Sequence, residues 1–212
     1  MGQVTPLLLV TALMGAVSAA AAQDHSPQER REDLAKVQEM LADPDPLMRL
    51  ANMEALVGSG DALKIRIAIR TAFASNDADL RGLAMRAYLA TQRDITFDVS
   101  LPPAIQKQYD SATPSTMQDL TRQYPFLPSL SNAAFRVHLK LIDYTLGQDS
   151  GKVEAQGDAP FTITGDKFST QVPVPYSGVC YIDFWPSRKL TLDGTLACGG
   201  VWPKLAITAP AS

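Results

Sequence analysis

The chain has 212 residues, 46% of them hydrophobic, and a formal net charge of −3 at pH 7. This length and composition are typical of a globular protein with one or two domains. The mild acidity argues against a nucleic-acid-binding function, because affinity for nucleic acids depends on neutralising phosphates with clustered lysines and arginines. Lys64, Arg66 and Arg70 come closest to such a cluster, and they lie on one predicted helix.

Residues 1–22 have the pattern of a signal peptide. Residues 4–17 are apolar and uncharged, and residues 18–22 supply the small side chains that signal peptidase accepts, so cleavage is expected between Ala22 and Gln23. The alternative is an uncleaved membrane anchor, but the stretch is rich in alanine and glycine, whereas a spanning helix needs about 20 strongly apolar residues. We expect export to a bacterial periplasm or secretion, with no transmembrane segment after cleavage.

Residues 23–95 are predicted to be helical. Ser26 can cap the first helix, Pro27 suits its first turn and Glu29 completes a capping box. A second helix is expected to begin with Asp45 as its cap. The four predicted helices span about residues 26–41, 45–57, 61–74 and 77–90.

The third of these helices has an ambiguous pattern. Ile65, Ile67 and Ile69 alternate with polar or small residues, which is typical of a strand when it is read alone. Asp61 can cap a helix here, and the neighbouring repeat also requires one. We therefore predict a helix.

The helical region contains an internal repeat. Asp45 and Arg49 reappear as Asp77 and Arg81, with a spacing of about 32 residues, in the range of helical solenoids. This pattern resembles the HEAT-like repeats over about residues 43–92, although the second copy has alanine where the first has proline. In that family an Asp-Pro turn begins the first helix, and an arginine on it pairs with acidic groups of adjacent repeats. The resemblance implies a packing scaffold often used for protein contacts, and it implies no chemistry.

Residues 96–132 form a proline-rich connector. Five prolines interrupt this stretch and leave room only for short helices, predicted at about 104–109 and 115–122. Its apolar residues are too numerous for a solvated tether. We expect the connector to pack between the helical and the β regions.

Residues 133–212 are predicted to form a small antiparallel β-domain. Hydrophobic residues alternate with polar ones from Phe135 onward, and glycines and aspartates separate the short runs. The predicted strands cover residues 135–141, 152–156, 161–164, 167–172, 178–185, 190–198 and 204–208. The expected fold class is α+β, with the helices followed by an antiparallel sandwich or a partly closed barrel.

Cys180 and Cys198, the two cysteines, are expected to form a disulfide, as such pairs do in an oxidising compartment. Two thiolates without adjacent histidines make a poor zinc site, so we expect neither a metal nor a cofactor. If the chain reverses around residues 188–189, one register places all apolar residues of both strands inward. It pairs Cys180 with Cys198, Ile182 with Leu196 and Phe184 with Gly194.

Residues typical of catalysis are scattered. His25 lies just past the expected cleavage site, and His138 lies on the polar side of its strand, where a histidine usually only contacts solvent. A pair of carboxylates of the glycosidase type remains an alternative, since folding can bring two acids together, but nothing in the sequence selects one. Aspartates adjoin turn residues, where they accept local hydrogen bonds, at positions 143, 149, 158, 166 and 193.

The feature most suggestive of a binding site lies on the other side of the first cysteine strand. Tyr181, Asp183 and Trp185 point away from the apolar face, and Trp202 follows the second cysteine closely. Aromatic rings beside an acid can stack on a sugar or contact a partner chain. The alternative is that the rings pack against the helices and the connector.

We therefore expect an exported, non-enzymatic binding or scaffold protein whose partner is another envelope protein. Two alternatives remain: an envelope enzyme acting on glycan or peptide, and a carbohydrate-binding module that uses the aromatic sheet face. Binding to nucleic acid is not expected.

Overall fold

The computed structural model describes residues 26–123, 136–154, 158–174, 178–198 and 204–211. The predicted signal peptide and His25 lie outside these ranges. Within them no helix combines the length and the apolar character that crossing a membrane requires.

Four helices open the described chain, and a short polar side chain caps each of them. Ser26 forms a capping box with Glu29, and three aspartates accept hydrogen bonds from the first backbone N–H groups of the other helices. The ambiguous third segment is a helix, because its Asp61 cap satisfies the N–H groups of Leu63 and Lys64. The helices are α1 (Pro27–Leu41), α2 (Pro46–Gly58), α3 (Ala62–Ala74) and α4 (Ala78–Thr91).

The four helices pack against one another, since α1 and α4 each contact both α2 and α3, and α2 also contacts α3. Three arginines connect their ends to carboxylates elsewhere in the chain. Arg30 pairs with Asp61 at 2.7 Å, Arg49 with Asp77 at 2.6 Å and Arg81 with Asp166 at 2.7 Å. The first two pairs join helices to each other, and the third joins α4 to the β region.

Eight antiparallel strands form a closed barrel in chain order, and the first strand pairs with the last. The fold class is therefore α+β. The strands are β1 (Asp94–Ser100), β2 (Arg136–Ile142), β3 (Ser150–Glu154), β4 (Ala159–Thr164), β5 (Lys167–Val174), β6 (Gly178–Pro186), β7 (Thr191–Cys198) and β8 (Leu205–Pro210). The helices α5 (Pro103–Asp110) and α6 (Pro114–Gln123) lie between β1 and β2.

Strand β1 is absent from the sequence prediction, which draws a boundary at 95/96 inside this strand. Ile95, Phe97 and Val99 are buried and alternate with exposed polar residues, so the strand has the usual pattern. Strand β1 begins three residues after α4 ends. The predicted helical region included its first two residues, and the predicted connector included the others.

Aromatic rings fill the barrel interior next to α4. Phe184 stacks on Phe168 with ring centroids 4.3 Å apart, and it also contacts Phe97 at 4.9 Å. Phe161 continues the row on the far side of Phe168, and Tyr144 ends it. The barrel is thus a packed core, and a binding site on it belongs on the outside.

Helix α4 contacts the β2–β3 and β4–β5 connections at one end of the barrel, and the loop before α4 contacts the β6–β7 turn. A Cβ atom on Gly82 would lie 2.8 Å from the carbonyl oxygen of Gly165, so the helix and the hairpin touch through their backbones. Arg86 of α4 forms an ion pair with Asp149, and Tyr144 Oη donates to the Arg86 carbonyl oxygen at 3.4 Å. The buried residues of both regions belong to one hydrophobic core.

Candidate binding face

The geometry of β6 and β7 decides which side chains face outward. The observed register pairs Cys180 with Cys198, Ile182 with Leu196 and Phe184 with Gly194, as predicted. Cys180 and Cys198 form a disulfide. The chain reverses at residues 187–190, and the Leu190 amide donates to the Ser187 carbonyl oxygen.

Tyr181, Asp183 and Trp185 consequently point away from the barrel interior. Tyr181 is 52% exposed and Trp185 38% exposed, and Val179 on the same face is 40% exposed. We call Val179, Tyr181, Asp183 and Trp185 together the aromatic face. Because a strand rises about 3.4 Å per residue, the two aromatic residues lie roughly 14 Å apart along it. Trp202, the fourth predicted residue of this site, lies outside the described residues.

Polar side chains flank the aromatic face on both neighbouring strands. Gln171 is opposite Tyr181 on β5, and Ser169 is opposite Asp183. On β7, Thr195 is opposite Asp183. A depression of about 400 Å³ lies at the β5 side and is lined by Thr162, Ser169, Gln171, Tyr181 and Asp183, among others.

Asp183 is held in its ionised form. Burial alone would raise the pKa of this carboxyl, but hydrogen bonds from Lys167 and Ser169 outweigh it, so that the pKa lies below its usual value. The Lys167 Nζ atom lies 2.9 Å from a carboxylate oxygen of Asp183. The acid thus presents hydrogen-bond acceptors beside the rings and carries no proton to donate at neutral pH.

The other candidate residues make structural contacts. His138 is exposed on β2, with Nε2 3.3 Å from Asp94 and Nδ1 3.0 Å from the Thr96 hydroxyl. Two of the five turn aspartates, Asp143 and Asp158, lie near the same lysine. Asp143 and Asp158 lie 3.8 Å and 3.7 Å from the ammonium of Lys152.

The remaining turn aspartates form ion pairs with arginines or accept hydrogen bonds from hydroxyl groups. Asp149 pairs with Arg86 and Asp166 with Arg81. Asp193 accepts hydrogen bonds from the hydroxyls of two threonines on β7 and β8. These contacts account for the aspartates as residues that join strands, turns and helices.

In the part of the chain that the structure describes, no three His, Cys, Asp or Glu side chains lie close enough together to hold one metal ion. No protein family, curated protein or solved structure matches the chain. The function of the site is therefore argued from its geometry alone.

Proposed function

We propose that this is an exported binding protein that contacts another envelope protein through the aromatic face of its barrel. The observation that carries the proposal is the exposure of Tyr181 and Trp185 on a strand whose opposite side is fully buried. Exposed aromatic residues beside satisfied polar groups are typical of the centre of protein interfaces, where they contribute most of the binding free energy.

The rigidity of the face also supports binding. Strand β6 is paired on both sides, and the disulfide links it to β7, so that the rings are held on a preformed surface. A preformed surface loses little conformational entropy when a partner binds.

Crosslinking in intact cells tests the partner. A photoreactive amino acid at position 181 should capture one reproducible envelope protein, and the additional substitution Trp185→Ala should abolish the product. The matched control is the same amino acid at position 140, on the outer side of β2. An equal yield from position 140, or a product that persists in Trp185→Ala, would show that the aromatic face is not the contact.

A glycan ligand is the second candidate, favoured by the hydroxyl and amide groups of Ser169, Thr162 and Gln171 beside Tyr181. Sugar binding would bring a pyranose ring over the aromatic side chain and would change tryptophan fluorescence. Soluble peptidoglycan fragments and neutral polysaccharides should be titrated separately. A saturable response that Tyr181→Ala removes would replace the protein partner with a glycan.

Export rests on the leader pattern and the disulfide, since such bonds persist in oxidising compartments. This protein, isolated from its natural host, should begin at Gln23 and should react with a thiol reagent only after reduction. Free thiols at Cys180 and Cys198 in the native compartment would refute the proposed localisation.

A further inference from the structure

Helix α3 exposes two arginines that no other described residue neutralises. Arg66 and Arg70 are one helical turn apart, so they lie on the same side of the helix. Neither forms an ion pair within the described residues, whereas Lys64 on the same helix pairs with Asp33 at 2.7 Å. We call Arg66 and Arg70 the arginine ridge.

A groove runs along each side of the arginine ridge. The first, of about 270 Å³, lies between α3, α4 and the residue after β8, and its apolar wall includes Ile65, Ile69 and Tyr88. Burial raises the pKa of Tyr88 to about 12, so this wall stays uncharged. Arg66 borders this groove.

The second groove, of about 510 Å³, lies between α1, α3 and the β6–β7 turn. Ile67, Ala74 and Leu190 form its apolar wall, and Arg70 borders it together with Arg188. Arg188 donates a hydrogen bond to the side-chain oxygen of Asn76 on the adjacent loop. No carboxylate is among the described residues that line either groove.

This local charge is opposite to that of the whole chain, which is −3. Three arginines that have no acidic partner in the described parts of the chain attract carboxylates, and the apolar walls beside them strengthen the attraction by lowering the local dielectric constant. The arginines also present planar guanidinium groups that bind carboxylates with two parallel hydrogen bonds.

We propose that the arginine ridge and its two grooves bind an extended acidic segment of a partner protein. The segment crosses α3, with carboxylates on the arginines and one apolar side chain in each groove. A helix is about 10 Å across, and an extended chain covers this distance in roughly three residues. A phosphate or a sulfated glycan would use the arginines but would leave both apolar walls uncovered, and for this reason we assign the site to a peptide.

This site lies on the helices and the β6–β7 turn, and no residue that lines its grooves belongs to the aromatic face, so its test does not depend on that face. The probe is a labelled peptide in which two leucines flank three glutamates, titrated with the full chain by fluorescence anisotropy. Arg66→Gln with Arg70→Gln should weaken binding at least tenfold, which corresponds to about 1.4 kcal/mol. Ala74→Glu, which adds a carboxylate to the second groove, should weaken it in the same direction.

The matched control is Arg31→Gln with Lys36→Gln, which removes the same charge from the exposed side of α1. It should change the dissociation constant by less than about twofold. Replacing the peptide leucines by serine should weaken binding at least tenfold. Equal binding of the serine peptide, or displacement by a sulfated polysaccharide at equal charge, would show an anion site without a peptide groove. Failure of the leucine peptide to bind at about 1 mM would overturn the proposal.

Discussion

The helical region and the barrel use charged residues in different ways. In the helical region ion pairs join one helix to the beginning of another, and the Arg49–Asp77 pair has side chains only 21% and 15% exposed. On the barrel the pairs join adjacent strands, and the Arg136–Asp98 pair is 61% and 63% exposed. Because solvent screens exposed pairs, they contribute little to stability. The barrel therefore depends on its aromatic interior, and the helical region depends on its buried apolar residues together with capped and paired helix ends.

Removing an aromatic ring from the barrel interior should have the largest effect. Phe184→Ala removes the ring that contacts both Phe97 and Phe168, and large-to-small changes of this kind cost about 4 kcal/mol. Urea denaturation gives the free energy of unfolding. The matched control, Tyr181→Ala, removes a ring from the outer side of the same strand. Equal losses in the free energy of unfolding would mean that both sides of β6 contribute equally to stability, and they would contradict the view that the barrel depends on its aromatic interior.

The sequence predicts this part of the fold well because two patterns agree there. Apolar alternation on β6 and β7 permits one register, and in it Gly194 leaves room for the backbone and the Cβ of Phe184. Both cysteines fall opposite each other in that register. Local alternation together with a residue of unusual size is enough to specify a hairpin.

Two glycine substitutions sharpen the contrast between the regions. A Cβ atom on Gly194 would lie 2.7 Å from the Cβ of Phe184, so Gly194→Ala should destabilise the protein by about 2 kcal/mol. A Cβ atom on Gly58, in the last turn of α2, would meet nothing within 4 Å. Gly58→Ala should instead stabilise the protein by about 0.5 kcal/mol, because alanine favours helix. Thermal unfolding of both variants measures the two effects, and destabilisation of equal size in both would contradict the packing argument.

An effect smaller than that of Gly194→Ala should come from the charge of a helix cap, and it should depend on pH. A hydrogen bond from Arg49, followed by one from the Leu80 backbone, lowers the pKa of Asp77. A lowered pKa stabilises the folded state above the ordinary pKa of about 4, and this contribution is lost as the pH falls through the lowered value. Asp77→Asn keeps the cap and should cost about 1 kcal/mol at pH 7.

Urea denaturation of wild type and Asp77→Asn between pH 7 and acid should show the difference shrinking as the pH falls. Asp79→Asn is the control, since it removes a charge from the same helical turn and no ion pair of this residue is present among the described residues. Its effect at pH 7 should stay within about 0.5 kcal/mol. A difference for Asp77→Asn that grows in acid would contradict the assigned ion pair.

Other features depend on contacts between distant parts of the chain, and the sequence does not predict them. Barrel closure needs β1 and β8 to pair, and these strands are more than 100 residues apart. The partner of Arg81 is Asp166, 85 residues away on the β4–β5 turn. Arg66 and Arg70 are visible in the sequence, but the grooves beside them exist only when α4 and the β6–β7 turn pack against α3. The aromatic face was predicted at Tyr181, Asp183 and Trp185, whereas its polar flank on β5 comes from strand pairing.

Closure of the barrel by its first and last strands has a consequence for biosynthesis. Strand β1 leaves the ribosome early, but one of its two edges stays unpaired until Leu205–Pro210 has been made. The four helices have short-range contacts and can assemble first, whereas the barrel cannot close before β8 has been made. Until then, strands β1 and β7 each lack a neighbour, and during that interval the chain is most exposed to edge-to-edge aggregation.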